Sequence, residues 1–362
     1  MNKTDLDIAY LPLVDSAPFI LAEHLGYFSQ MGLKVTLHKE VSWALVRDKL
    51  AIGARDAAQM LAPLPAMTTL GVSGMRVPLL TGLGLSKNGN GITISAVLWQ
   101  QMLAGLQLAE DYPASAANVT DVIVRAARQT EILPRQLTFA VVHGFSTHAI
   151  LLRRWLRSAG VDPDAQVKMI VVPPSQMVDS LSAGVIDGYC VGEPWSTLAI
   201  NLGVGIAAAW GAEVWAEAPE KVLCVTEQWH EQNPATHHAL RIALMHACGW
   251  LSRPDNALEA AQVMSAKQYL DIEDSVLERA LSGHLARTRN SAVEQVPNFL
   301  SFFDNQTNDP GGDSALQILD GCNDLLGRSV DPVQRHMLAR RCFRSDLFHH
   351  TLQEFDDSAV GP

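Results

Sequence analysis

Two similar α/β lobes are what this sequence predicts, and three observations predict them. Strand-like apolar runs alternate with helical periodicity over roughly the first 220 residues. The segments LAIGARDAAQMLAPLP and LSAGVIDGYCVGEPW echo each other: a helix end, Gly, Asp, a small residue, an apolar pair, then Pro. A chain of 362 residues, 48% hydrophobic and 18% charged, exceeds one small domain and can fill two cores.

The elements follow in order. Asp7 to Leu13 reads as a first strand. PFILAEHLGYFSQMGL is apolar at helical spacing and stops at Gly32. KVTLHKEV alternates like a strand, and WALVRDKLAIG reads as a short helix with Ser42 as a plausible N-cap. The second half repeats this grammar. LTFAVVHG is a near-continuous apolar strand, and STHAILLRRWLRSAG is a helix capped by Ser146 or Thr147 and ended by Gly160. KMIVVP is a strand, and PSQMVDSLSAGVIDGYCVGEPW a helix, turn and strand. From about Val222 the pattern is mainly helical, and Asn305 to Ser314 reads as a turn-rich surface loop. The expected lobes are residues 1–92 with 222–362, and residues 93–221. Ligands of such folds sit in the crevice at the carboxyl ends of the strands.

A formal charge of −11 argues against a broad phosphate-binding face, so direct nucleic-acid binding is not expected. Five cysteines without a C-x-x-C pair suggest reduced thiols, and Cys190 reads as a small buried hydrophobe. The N-terminus shows no basic stretch followed by a long apolar run, and no segment has the length of a membrane span. A cytoplasmic protein without membrane contact is the expectation. No G-x-S-x-G, H-E-x-x-H or glycine-rich phosphate loop occurs, so a binding protein is expected rather than an enzyme. His237-His238 and His349-His350 diverge on helices, and no metal or other cofactor is expected.

DIAYLPLVDSAPFILAEHLGYF, VSWALVRDKLAIG, DAAQMLAPLP, SKNGNGITIS, STHAILLRRWL, VPPSQMV, IDGYCVGEPW and APEKVLCVTEQW together resemble the nitrate/bicarbonate-binding proteins related to ABC-transporter solute receptors. The resemblance implies a two-lobed clamp of the type II periplasmic-binding-protein kind, closing on its ligand. Within that family the chain resembles the cytoplasmic nitrate/nitrite sensors of two-protein regulatory pairs (NasS-like). Such a sensor holds an RNA-binding antiterminator inactive and releases it when nitrate or nitrite binds, permitting nitrate-assimilation genes to be expressed. The alternative is the substrate-binding component of an ABC-type nitrate importer.

Nitrate is planar, singly charged and offers only acceptors, so its site needs donors, one positive charge and little water. The resemblance places Lys221 of APEKVLC as the charged ligand, where bicarbonate-binding relatives carry a carboxylate; Lys221 also reads as a solvated lysine. His148 lies at a helix start, where backbone N–H groups favour anions, but also reads as a histidine satisfied by its neighbours. Trp43 offers an indole N–H or simple core packing. Asn90 stands where relatives often carry glutamine, and its shorter amide reaches the ligand directly or through water. Gly192 is placed to present its backbone N–H, and Pro173 and Pro174 to shape the wall. Glu193 reads as structural, because a carboxylate near the site repels an anion.

Overall fold

The computed structural model describes residues 3–129, 131–133 and 135–355. Ten principal strands form two mixed sheets. The first holds β1 (Asp5–Tyr10), β2 (Lys34–Lys39), β3 (Ala57–Leu61), β4 (Leu79–Asn88) and β10 (Pro219–Thr226), with the short strand Leu300–Ser301 on its edge. The second holds β5 (Asn90–Ser95), β6 (Leu137–Val141), β7 (Val167–Val171), β8 (Gly188–Gly192) and β9 (Gly205–Trp210). The sheets run β2-β1-β3-β10-β4 and β7-β6-β8-β5-β9. In each, the first three strands are parallel and the fourth is antiparallel to both neighbours. That fourth strand is always the one arriving from the other lobe.

The echo in the sequence is an echo in space. Asp56 precedes β3; its carboxylate accepts from the backbone N–H of Asp7 at 2.9 Å and from Lys3 Nζ at 2.6 Å. Asp187 precedes β8; its carboxylate accepts from the backbone N–H of Thr138 at 2.8 Å and from Arg135 Nη1 at 2.7 Å. Each aspartate also donates its own N–H to the carbonyl of the residue it clasps. Asp7 and Thr138, and Asp56 and Asp187, stand the same 131 positions apart. The aspartate in each copy therefore sews the start of one parallel strand to the end of the preceding turn.

The chain passes from sheet to sheet twice, through Gly89 between β4 and β5 and through residues 211–218 between β9 and β10. These crossings correct the expected boundaries at 92 and 221: Ile92 lies inside β5 and Lys221 inside β10, so Lys221 belongs to the first lobe's sheet. Asn88, with φ of 60°, fastens the crossings. Its Nδ2 donates to Ala216 O at 2.7 Å and Asn298 O at 2.9 Å, while its Oδ1 accepts from Ala218 N at 3.1 Å. Asparagine tolerates this left-handed backbone better than most residues.

The lobes are closed. Trp43 and Met60 of the first share one apolar cluster with Tyr189 and Val191 of the second. The C-terminal helix Gly312–Leu326 packs on the second lobe's helix Thr147–Ser158, where Gly321 gives Ile150 room that a Cβ would occupy. At its end Asp324 accepts from Arg153 Nε at 2.8 Å and Arg157 Nη1 at 2.7 Å. Burial alone raises the pKa of Asp324, but these hydrogen bonds outweigh it and bring it to about 2.

Residues 305–314 are not the expected surface loop. Asn308 is buried and its Nδ2 donates to Gly84 O and Phe302 O, both at 2.9 Å. Asp304 caps the turn by accepting from Gln306 and Thr307 N–H at 2.7 Å. Polar turn residues read as solvated in sequence, but here they satisfy one another and the edge of β4.

Candidate functional site

Five of the six residues expected at a ligand site line the closed interface between the lobes, fully buried. Trp43 opens the helix Trp43–Ala51, whose Ser42 cap accepts from Leu45 N–H at 3.3 Å. Asn90 begins β5 and Gly192 ends β8, two residues paired directly across the sheet. His148 is the second residue of the helix Thr147–Ser158, capped by Ser146 through Ala149 N–H at 3.0 Å. Thr147 Oγ1 donates to Pro219 O at 2.8 Å, tying that helix start to β10. Lys221 comes from β10. Pro174, on the turn Pro174–Gln176, is also buried, but takes no part in the polar group around Lys221 among the described residues.

Lys221 is the hub. Its Nζ contacts Asp15 Oδ2 at 2.7 Å and Glu220 Oε1 at 2.5 Å, and stands 5.1 Å from the centroid of a Trp43 ring. Burial by itself disfavours the ammonium, but the two carboxylates outweigh it and raise the pKa. Asp15 moves upward too, because burial outweighs the attraction of Lys221. These directions agree once the charges are counted: one ammonium cannot neutralise two buried carboxylates. Gln59 Nε2 donates to Asp15 Oδ1 at 2.8 Å, and its Oε1 accepts from Leu11 N–H at 3.2 Å. Asn90 Nδ2 donates to Glu220 Oε2 at 2.7 Å. The expected anion donor of Asn90 is thus engaged by a carboxylate in this closed form.

Several buried donors remain uncommitted. Among the described residues, Trp43 Nε1 and both ring nitrogens of His148 have no hydrogen-bond partner. His148 Nδ1 stands 3.5 Å from Glu220 Oε1, beyond a good hydrogen bond. Burial, and then Lys221, push the pKa of His148 well down, so its imidazole is neutral. A Cβ placed on Gly192 would lie 3.3 Å from Asp15 Oδ2, 3.5 Å from Asn90 Oδ1 and 3.8 Å from His148 Nε2. Any larger side chain there fills the point on which these groups converge. Buried polar atoms left unpaired are costly, and a small acceptor ligand repays Trp43 and His148 together. A cavity of about 820 Å³ opens elsewhere, beside Trp99, Tyr112 and Arg287, and shares no residue with this group.

Asp15, Gln59 and Glu220 are the residues that the sequence reading missed. Strand alternation puts Glu220 on the face opposite Lys221. A bulge defeats alternation: Pro219 pairs with Lys87 and Lys221 with Ser86, leaving Glu220 as the extra residue. Glu193, expected to be structural, accepts from Thr197 N–H at 3.2 Å inside the helix start Trp195–Leu202. Burial, opposed in part by Thr197, raises its pKa to about 7. The histidine pairs point apart, but one member of each meets across two helices. His238 and His350 rings lie 4.4 Å apart, with His238 Nε2 2.8 Å from Glu354 Oε2. Arg241 Nη2 sits 3.3 Å from His238 Nδ1, and its positive charge works against a cation there.

The model of the NMT1-like family matches residues 1–265. The chain belongs to the NMT1-like family. It is 30% identical over 286 residues to the nitrate/nitrite binding protein NrtA of Nostoc sp., covering 77% of this chain and 61% of that protein. It is 34% identical over 321 residues to the nitrate import ATP-binding protein NrtC of Synechocystis sp., covering 88% of this chain and 46% of that protein. The chain therefore spans between about half and three fifths of these relatives. The crystal structure of the periplasmic nitrate-binding protein NrtA from Synechocystis PCC 6803 superposes with a TM-score of 0.85 at 25% identity, covering 98% of this chain and 90% of that one. Alkanesulfonate-binding SsuA of Xanthomonas axonopodis shares the fold at 14% identity and a TM-score of 0.61. The fold is that of the type II solute-binding proteins.

Proposed function

We propose that this member of the family is a nitrate- or nitrite-binding sensor that acts by binding, without catalysis. The observation that carries the reading is the fully buried Lys221 at the lobe interface, beside the partnerless donors of Trp43 and His148. An ammonium has three N–H donors, and the two carboxylates engage two of them. The third, with the indole and imidazole N–H groups, suits a small planar oxyanion. Similarity to the nitrate/nitrite binding protein NrtA supports the same ligand class. In this proposal a cytoplasmic RNA-binding antiterminator is held by the ligand-free chain and released by the closed, ligand-bound one. By linkage, ligand and partner must then weaken each other by the same factor.

Importer function is the second reading, and the name of the relative NrtC favours it. Both readings predict anion binding and part at the partner. Calorimetric titration with nitrate, nitrite, bicarbonate and sulfate tests the common step. Nitrate or nitrite is expected to bind more tightly than the other two, and preference for sulfate or bicarbonate would refute the ligand assignment. Capture of the antiterminator from cytosol, lost on adding nitrate, separates sensor from importer.

A further inference from the structure

We propose that the cleft accepts its anion together with a proton, so that Asp15 and Glu220 make the site a receptor for anion plus H⁺ rather than for the bare ion. This rests on the oxyanion reading above and adds a rule of selectivity to it.

The charge count carries the inference. Asp15 is 3% exposed, Glu220 and Lys221 are 0% exposed, and both carboxylates touch the one ammonium. The charged groups near His148 are Asp15 from the segment after β1 and Glu220 and Lys221 from β10, and the Cys190 thiol from β8 feels the last two. Burial keeps that thiol protonated. With both carboxylates ionised, the ammonium charged and the imidazole neutral, the group carries −1. A monoanion entering the closed site takes it to −2, where little water can screen it. One proton taken from solvent restores −1.

Asp15 is the seat for that proton. Burial pushes its carboxyl toward the protonated form, while burial and Lys221 push His148 the other way. A protonated Asp15 still accepts from Gln59 Nε2 on Oδ1, and its other oxygen, beside Lys221, then offers an O–H donor to an anion. The balance is simple: anion and H⁺ go in, the proton resides on the Asp15 carboxyl, and no covalent bond to the ligand forms or breaks. Glu220 supplies the second carboxylate on the one ammonium and binds no ligand itself.

The test is nitrate titration calorimetry at pH 7.5 in HEPES and in Tris, whose ionisation enthalpies differ widely. Uptake of about one proton per nitrate should appear as a buffer-dependent binding enthalpy. The dissociation constant should weaken by about tenfold per pH unit between pH 7 and 8. In Glu220→Gln the site begins neutral, so both effects should shrink toward zero. The parent protein alone decides the matter if that variant does not fold. Equal enthalpies in both buffers, with a flat pH profile, would overturn proton coupling while leaving nitrate binding intact. Absence of nitrate binding in every buffer would overturn the oxyanion reading, and this inference with it.

Discussion

The two lobes use the same stretch of sequence for the same scaffolding and then part company where the cleft begins. DAAQMLAP before and through β3 corresponds position by position to DGYCVGEP through β8. Both aspartates clasp the central strand of their parallel trio, β1 or β6, and a cation beside it. Beyond them the copies differ. Gln59, which orients Asp15, stands against Cys190; Leu61 stands against Gly192; Ala62 stands against the buried Glu193. What the copies share holds the sheet, and of what they do not share Gln59 and Gly192 reach the polar group around Lys221.

The sharpest break of that pattern is Lys221, which has no role in the shared scaffold. Loss of one member of a buried charged pair costs about 2–5 kcal/mol in binding. Lys221→Ala should therefore weaken nitrate binding roughly thirtyfold to several thousandfold. It also strands two carboxylates, so the variant should be less stable than the parent and regain stability as pH falls. Nitrate affinity within threefold of the parent would remove Lys221 from the site. His148→Ala should be milder, since Lys221 stays.

Glu193 offers the next contrast, because its counterpart is Ala62. Its pKa is raised from 4.5 to about 7 in the folded chain. A raised folded value gives stability that is complete below pH 4.5 and lost as pH climbs to about 7. Glu193→Gln should match the parent at pH 4 and exceed it by about 3 kcal/mol at pH 8. Denaturant midpoints at the two pH values check this. A constant difference would mean that the carboxyl does not titrate in this range.

The shared aspartates should behave alike. Asp56→Asn and Asp187→Asn each weaken a charge-assisted bond to a backbone N–H, at a cost of about 1–3 kcal/mol. Neither should change nitrate affinity by more than threefold. If one of them alone abolished binding, the division between scaffold and site would fail. Asp324→Ala should have the smallest effect. Its arginine contacts are partly exposed, so a loss of nitrate affinity of no more than about twofold is expected from easier opening of the lobes.

Much of this plan was legible in the residues. Gly160 ends its helix at φ 69°, and Ser146 caps it, because those signals are local. The echo was visible because the clasping aspartates need the same neighbours twice. Lys221 and His148 entered through a family resemblance, and their burial follows from closure of the lobes. Asp15 and Glu220 escaped for different reasons. Asp15 follows a proline-broken strand and reads as an ordinary turn residue until the second lobe covers it. Glu220 depends on a one-residue bulge, and the period of a strand cannot announce its own interruption.

Asn88 gives the molecule a mechanical property. One amide holds both crossings and the Asn298 carbonyl, close to the point where the sheets part company. Seen as a lever, the chain has its pivot there and its catch at Asp324, on a separate helix pair. The two fastenings differ in kind. Asn88 ties backbone to backbone near the crossings, while Asp324 ties a C-terminal helix to the second lobe through arginine side chains. Separating the lobes while the crossings stay joined breaks the second fastening and spares the first, so the contacts of Asp324 count in the free energy of opening and those of Asn88 do not.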